Sequence, residues 1–509
     1  MQAKKLPIEV DIRNDPVLKW VRKGIIGREA ILPTPLGRRR KRYFDQTASG
    51  LPFAPIEDLI REKVLPYMAN THTEASYTGR FMTSHYEDAH HKVRRALNAH
   101  EDDVVLFTGS GATGAINKLI AVMGIRIPDT LAGMFGCSVE IHDDARPLIV
   151  RSRMEHHSND LPWQETMADT EYLDFDKLGR PDWRSLDRIL SMPKYADRKL
   201  KIGTFSAASN VTGIVSNPDE LARVMHDHEG YAFFDYAAAG PYVKLDLHPD
   251  PEDRCRKDAV FLSVHKFTGG PQTPGVLAAN RALFRTKAPA EPGGGTVLYT
   301  SPWEYRYLDD LQNREEGGTP PIVQVIRAGL CFELKDIIGV DRIQKVESHF
   351  VHRAIEAWRN EPNIRILGDL DAERIGIISI IIDGGALHHN LGVRLLNDVY
   401  GIQVRGGCMC AGTYGHDLLG IDQDRSEDIR CALDRGEVTS KPGWIRVSFG
   451  PGTSEGEFRV LLDAVPELAR NWRKYAEDYR IDEQTAEWHH RSETMKDFES
   501  IRLGHQLCD

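Results

Sequence analysis

The sequence is short of cysteine, of long apolar runs and of excess positive charge, and each shortage removes a class of protein. Seven cysteines are scattered through 509 residues, and an odd, dispersed set makes no disulfide framework and suits a reducing compartment. The longest apolar stretches, such as "IGIISIIID" at 375–383, fall far below the roughly 18 residues that span a bilayer. The first sixteen or so residues contain no apolar core of the kind that marks a secretory leader. Acidic residues outnumber basic ones, 75 to 65, for a net charge of −10. That balance favours solubility and gives no electrostatic reason to bind nucleic acid or an anionic membrane. The expectation is a cytoplasmic protein with neither as a partner. The one basic run, "RRRKR" at 38–42, reads as a solvated segment rather than a targeting signal. Repeats and low-complexity tracts are missing too, and 43 Gly and 27 Pro are too few for a disordered or fibrous chain.

What the sequence does have is alternation. Between about 55 and 330, apolar runs read as buried strands ("VVLFTG", "PLIVRSR", "LKIGTFSAAS", "YAFFDYAA", "DAVFLSVHK"), and helical segments such as "TGAINKLIAVMG", "SLDRILSM" and "PDELARVMHDHEG" separate them. Continuous apolar strands alternating with helices imply a mainly parallel α/β sheet, whose C-terminal strand ends are where ligands bind. Beyond about Thr319 the pattern changes to long helices, "VQVIRAGLCFELKDIIG" and "DRIQKVESHFVHRAIEAWRN", followed by strand, helix and strand ("IGIISIIID", "HHNLGVRLLNDVYG", "IQVRGG"). The organisation predicted is an N-terminal segment at 1–54 packing with the smaller domain, a large domain at 55–330, a smaller α/β domain at 331–474, and a peripheral helical extension at 475–509.

Three segments carry candidate chemistry. "FTGSGATGAINKL" contains G-x-G-x-x-G at Gly109, Gly111 and Gly114, after a strand and opening a helix. A dinucleotide site would want a second strand with an acidic residue about 20 residues on, yet Asp129 falls in a Pro-containing loop. A Walker loop fails because Ala115 and Ile116 follow Gly114. What remains is a helix N-terminus able to hold a phosphate, or a Gly-rich turn with no ligand. In "FLSVHKFTGGPQTPG" Lys266 ends a strand. It is either a snorkelling surface lysine or, with Ser263, His265, Gly269 and Gly270 beside it, a lysine that forms a Schiff base and then serves as a general base. Asp235, ending "YAFFD", is either a turn aspartate or the partner of a protonated pyridine nitrogen.

Taken together, "HHSNDLPWQE", "SNVTGI", "FFDYAAAG", "SVHKFTGG", "EEGGTP" and "VRGGCMCAG", in that order and at these separations, resemble the class V aminotransferase family of pyridoxal 5'-phosphate (PLP) enzymes, in its cysteine desulfurase branch. The likeness runs from about Tyr43 to Thr453. It implies fold type I, with a mainly parallel seven-stranded sheet in the large domain and a smaller α/β domain. By the same resemblance Lys266 binds PLP covalently, Asp235 pairs with the pyridine nitrogen, His156 stacks on the ring and Asn210 lies beside its phenolic oxygen. Ala112, Thr113, Ser263 and His265 would hold the phosphate, while Thr319 would reach the phosphate of a partner subunit in a homodimer. One departure is Ala238, where family members usually carry Gln or His able to bond the ring oxygen.

The pair Cys408 and Cys410 needs separate treatment. A lone C-x-C is a poor zinc signature, and neither His156/His157 nor His388/His389 is spaced as ligands on a helix face, so no metal is expected. Its Gly-rich surroundings describe a loop rather than a core, and a mobile loop can carry a thiol toward a substrate. The family places its nucleophile in a pattern like R-x-x-x-x-C, which assigns Arg405 and Cys410. The segment also resembles R-x-G-C-x-C of molybdenum cofactor sulfurases. Cys408 is either a bystander or a relay thiol. Arg446 in "GWIRVSFGPG" matches the family's partner for the substrate carboxylate. The implied activity is removal of sulfur from L-cysteine to give alanine and a persulfide on Cys410, which passes to an acceptor protein. The alternatives are an epimerase, racemase or β-lyase using the same cofactor, and a catalytically silent scaffold.

Overall fold

The computed structural model describes residues 11–71, 73–128, 130–136 and 140–493. Its centre is a seven-stranded sheet whose strands run, in order across it, Asp103–Thr108, Gly275–Asn280, Ala259–Ser263, Tyr231–Asp235, Lys201–Ser206, Leu148–Arg151 and Asp169–Tyr172. All neighbours are parallel except Gly275–Asn280, which is antiparallel to the strands on either side. The sheet is buried on both faces, which explains why its strands read as unbroken apolar runs. Val105 and Phe107 pack into one apolar cluster, whereas Val104 and Leu106 face another, as the two-residue period of a strand requires.

A second sheet of Ile364–Ile366, Ile377–Ile382, Trp444–Ser448 and Arg405–Gly407, in that order, forms the smaller α/β unit. Its core gathers Ile378, Ile380, Val447 and Phe458, and also takes in Ile12, Leu18 and Phe44 from the N-terminal segment. A further apolar cluster, with Met154, Val211, Ile214, Met409, Tyr414 and Trp444, joins the two sheets' loops.

Several elements differ from the sequence reading. Asp169–Tyr172 and Gly275–Asn280 are strands that the apolar runs did not reveal. "IQVRGG" divides in two: Ile402–Gln403 pairs with Arg42–Tyr43, and Arg405–Gly407 pairs with Trp444–Ser448. The extension expected to be helical instead forms an antiparallel pair, Tyr479–Asp482 with Glu487–His490. It is anchored because the Tyr479 hydroxyl donates to buried Asp398 at 2.9 Å. Residues 494–509 of that extension, and Asp129, lie outside the described residues. Among the described residues no helix is long and apolar enough to cross a membrane.

Candidate active site

The C-terminal ends of three adjacent parallel strands deliver Ser206, Asp235 and Ser263 to one edge of the large sheet. Lys266 follows in the short turn Val264–Lys266. From the smaller sheet come two arginines that are paired in register, Arg405 opposite Arg446. Where these edges meet lies a cavity of about 270 Å³ lined by Ser110, Ala112, Thr113, His156, Asn210, Asp235, Ser263, His265, Lys266, Arg405, Cys410 and Arg446. Of the site residues named from the sequence, only Thr319 is not part of it. That exposed threonine accepts from Asn70 Nδ2 at 3.1 Å elsewhere on the surface.

The cavity sets its own protonation states. Burial holds the Lys266 amine down at about 8, against the opposing pull of Asp235 and with the help of Arg446 and Arg405. Burial raises Asp235, which receives one hydrogen bond, from the Ala237 N–H at 2.7 Å. His156 falls to about 3, chiefly through burial and then through the nearby positive charges of Lys266 and Arg446. Its Nδ1 accepts from the Ser158 N–H at 3.1 Å, so the neutral ring carries its proton on Nε2. His265 drops to about 4, again chiefly by burial and then by Lys266.

At the other end of the cavity the helix Gly111–Met123 presents its N-terminus. The Ala112 N–H donates to Ser263 Oγ at 2.9 Å, and Thr113 Oγ1 and Ser158 Oγ share a hydrogen bond of 2.7 Å. Gly111, at φ 60°, has no room for a side chain, since a Cβ there would stand 2.7 Å from Ser263 Oγ. Hydroxyls and a helix N-terminus converging on one point form an anion seat.

The arginines share a carboxylate that sequence reasoning missed. Arg446 Nη2 donates to Asp45 Oδ1 at 3.0 Å, and Arg405 Nε donates to Asp45 Oδ2 at 3.2 Å. Arg446 is 4% exposed, so it is no surface strand arginine, and its Nη1 donates to the Asn210 carbonyl at 3.0 Å. Nothing local marks Asp45, because its partners lie 360 and 401 residues away in the chain.

Cys410 is exposed and Cys408 half-buried. Both Met409 and Cys410 have φ of 55°, a left-handed conformation that disfavours non-glycine residues by roughly 1–2 kcal/mol each. Met409 is buried in the apolar cluster, and its carbonyl accepts from Asn210 Nδ2 at 2.8 Å. The loop expected to be mobile is therefore hydrogen-bonded to the large domain.

Comparison with known proteins follows the same lines. Residues 42–459 match the family described as aminotransferase class V. A probable cysteine desulfurase of Halalkalibacterium halodurans is 31% identical over 378 residues, covering 72% of this chain and 84% of that protein. One of Streptomyces coelicolor is 28% identical over 374 residues, covering 72% and 83%. Among solved structures, an apo cysteine desulfurase from Thermococcus onnurineus aligns over 89% of this chain and 98% of its own, with a TM-score of 0.69 and 24% identity, a likeness of fold.

Proposed function

The chain belongs to the aminotransferase class V family of PLP-using enzymes, and on that footing we propose that it removes sulfur from L-cysteine, yielding alanine and a persulfide on Cys410. The observation that carries this reading is the presence of Lys266, Asp235, both arginines and Cys410 around a single cavity.

The residues fit the cofactor on three counts. The Asn210 Oδ1 is buried with no hydrogen-bond partner. Asp235 is a buried carboxyl with a single backbone donor. The Gly111–Met123 N-terminus with Ser263, His265, Ala112 and Thr113 suits a phosphate. Asp235 would hold the proton on the ring nitrogen, His156 would cover a ring face, and Ala238, which lines the cavity, adds no polar contact. When bound, PLP supplies an aldehyde and an electron-withdrawing ring that delocalises the electron pair released at the substrate α-carbon.

The chain's own groups then divide the work. Arg446, with Arg405 beside it, orients the substrate carboxylate. Lys266, whose amine burial lowers from the ordinary lysine range, removes the α-proton and returns one. The Cys410 thiolate attacks the substrate sulfur: an S–S bond forms, the Cβ–S bond breaks, and its electron pair passes to the carbon skeleton, which takes up a proton and leaves as alanine. An acceptor protein then takes the persulfide sulfur. Thr319 serves the phosphate site of a second copy in a homodimer.

Product analysis with purified holoenzyme tests this. Cys410→Ser should abolish alanine and sulfide production from cysteine while the absorbance of bound PLP stays, and Cys408→Ser should retain turnover. Unchanged alanine and sulfide production in Cys410→Ser would refute the persulfide, whereas pyruvate or an inverted amino acid in place of alanine would mark a PLP-dependent lyase or epimerase.

A further inference from the structure

The turn that carries Cys410 is held on both flanks by one residue of the large domain, His157. The backbone N–H of His157 donates to the Cys410 carbonyl at 2.7 Å. Its imidazole Nε2 in turn accepts from the Gly412 N–H at 2.9 Å. One histidine thus fixes the peptide groups immediately before and after Ala411, and Nε2 as acceptor leaves the ring proton on Nδ1. The fit is close, since a Cβ built on Gly412 would meet His157 Nε2 at 3.1 Å.

Asn210 completes the hold from the other side. Its Nδ2 donates to the Met409 carbonyl, and its own carbonyl accepts from Arg446 Nη1. The thiol turn and the carboxylate-binding arginine are therefore attached to the same residue. Two successive non-glycine residues at φ 55° persist only where their surroundings over-determine them, and such strain gathers at working sites. Here the surroundings are these hydrogen bonds together with the burial of Met409 at 8% exposure.

We propose that His157, with Asn210, is a positioning residue that locks Cys410 in this left-handed turn, so that the thiol is presented to the cavity by a pinned loop. His157 does not line the cavity and acts through the turn, not on the substrate. The proposal rests on Cys410 being the sulfur-accepting thiol. Its mechanical logic is that a sulfur attack requires the reacting atoms near 3–3.5 Å and aligned, where a misplacement of about 1 Å can lower the rate about a hundredfold.

The test uses holoenzyme and two variants. His157→Ala removes the acceptor for the Gly412 N–H; His157→Gln offers a side-chain oxygen at a similar reach. In His157→Ala, kcat for desulfuration should fall at least about tenfold, with KM for cysteine and the absorbance of bound PLP within about twofold of wild type. Amide hydrogen exchange should quicken in the peptide covering 405–419, and His157→Gln should restore both kcat and protection. Wild-type turnover in His157→Ala, or lost turnover with unchanged exchange at 405–419, would overturn the proposal. The exchange readout is independent of the persulfide chemistry. If Cys410→Ser kept its turnover, the functional reading would fall while the clamp could still be judged from exchange alone.

Discussion

Gly50 lies outside the set of cavity-lining residues, yet substituting it should disable the site. Its N–H donates to the His265 carbonyl at 2.9 Å, and the Gly269 N–H donates to the Leu51 carbonyl at 2.8 Å, so the segment around residue 50 lies directly on the backbone that bears Lys266. A Cβ on Gly50 would stand 1.9 Å from the Phe267 oxygen and 3.0 Å from the Lys266 oxygen, where ordinary contact begins at 3.4 Å. About 1.5 Å must then be found between two backbones, an overpacking that costs roughly 1–3 kcal/mol. Neither side yields easily. Phe267 is buried at 5.0 Å from the Phe332 ring, and the opposing segment begins at Asp45, tied to both arginines. A shift of that size at Lys266 should lower kcat by about a hundredfold. The expected result for Gly50→Ala is a lower unfolding midpoint in urea, weaker PLP uptake by absorbance titration and this loss of kcat. The control is Gly456→Ala, where a Cβ meets nothing within 4 Å and helix propensity favours the alanine. Wild-type stability and turnover in Gly50→Ala would refute the claim that this contact seats the lysine.

Three more predictions follow from the site's charges. In cofactor-free protein the Lys266 amine is held at about 8, below the 10.5 of an ordinary lysine. The unfolded chain therefore binds more protons between those values, and this group adds stability as pH rises from about 8 to 10.5, up to about 3 kcal/mol. Urea titrations should show that slope flattened in Lys266→Met. Asp45→Asn strips the carboxylate from buried Arg446 and should destabilise the fold by about 3 kcal/mol in the same assay. An unchanged midpoint would mean that Asn210 and the remaining contacts satisfy the guanidinium alone. Arg446→Lys loses the planar fork that fits a carboxylate and should raise KM for cysteine about 10–100-fold while PLP absorbance is retained; an unmoved KM would assign the carboxylate to Arg405.

How much of this was legible in the sequence depended on whether a residue's partners were near it in the chain. Lys201–Ser206 and Ala259–Ser263 are buried at every position and so announced themselves as apolar runs. Asp169–Tyr172 is a half-buried edge strand of sequence DTEY, whose strand state is imposed by pairing with Leu148–Arg151 rather than by any local preference. The C-terminal hairpin is similar: its charge-rich segment is extended because Tyr479 and Trp488 find Asp398 and His388 roughly a hundred residues back in the chain. In the site, Lys266 and Asp235 stood out as polar residues ending apolar strands. Asp45 and His157 did not, because what defines them is a bond to residues that lie 255 to 401 positions away in the chain.

That distinction bears on how the site works. Lys266 and Asp235 follow strands of the large sheet, whereas Arg405, Arg446 and Cys410 come from the smaller one, so the proposed reaction requires a fixed seam between the two. Residues 210–215 form that seam. Ser379 Oγ donates to the Val211 carbonyl at 2.6 Å and Arg374 Nη1 to the Thr212 carbonyl at 2.9 Å. The Ile375 N–H donates to the Gly213 carbonyl at 2.9 Å, and the Val215 N–H to the Glu373 carbonyl at 3.0 Å. Asn210 begins this run, with Met409 on its side chain and Arg446 on its carbonyl. This short loop of the large domain thus holds both Arg446 and the Cys410 turn relative to Lys266. Loosening it should impair binding and sulfur attack together, whereas loosening the His157 hold should impair attack alone.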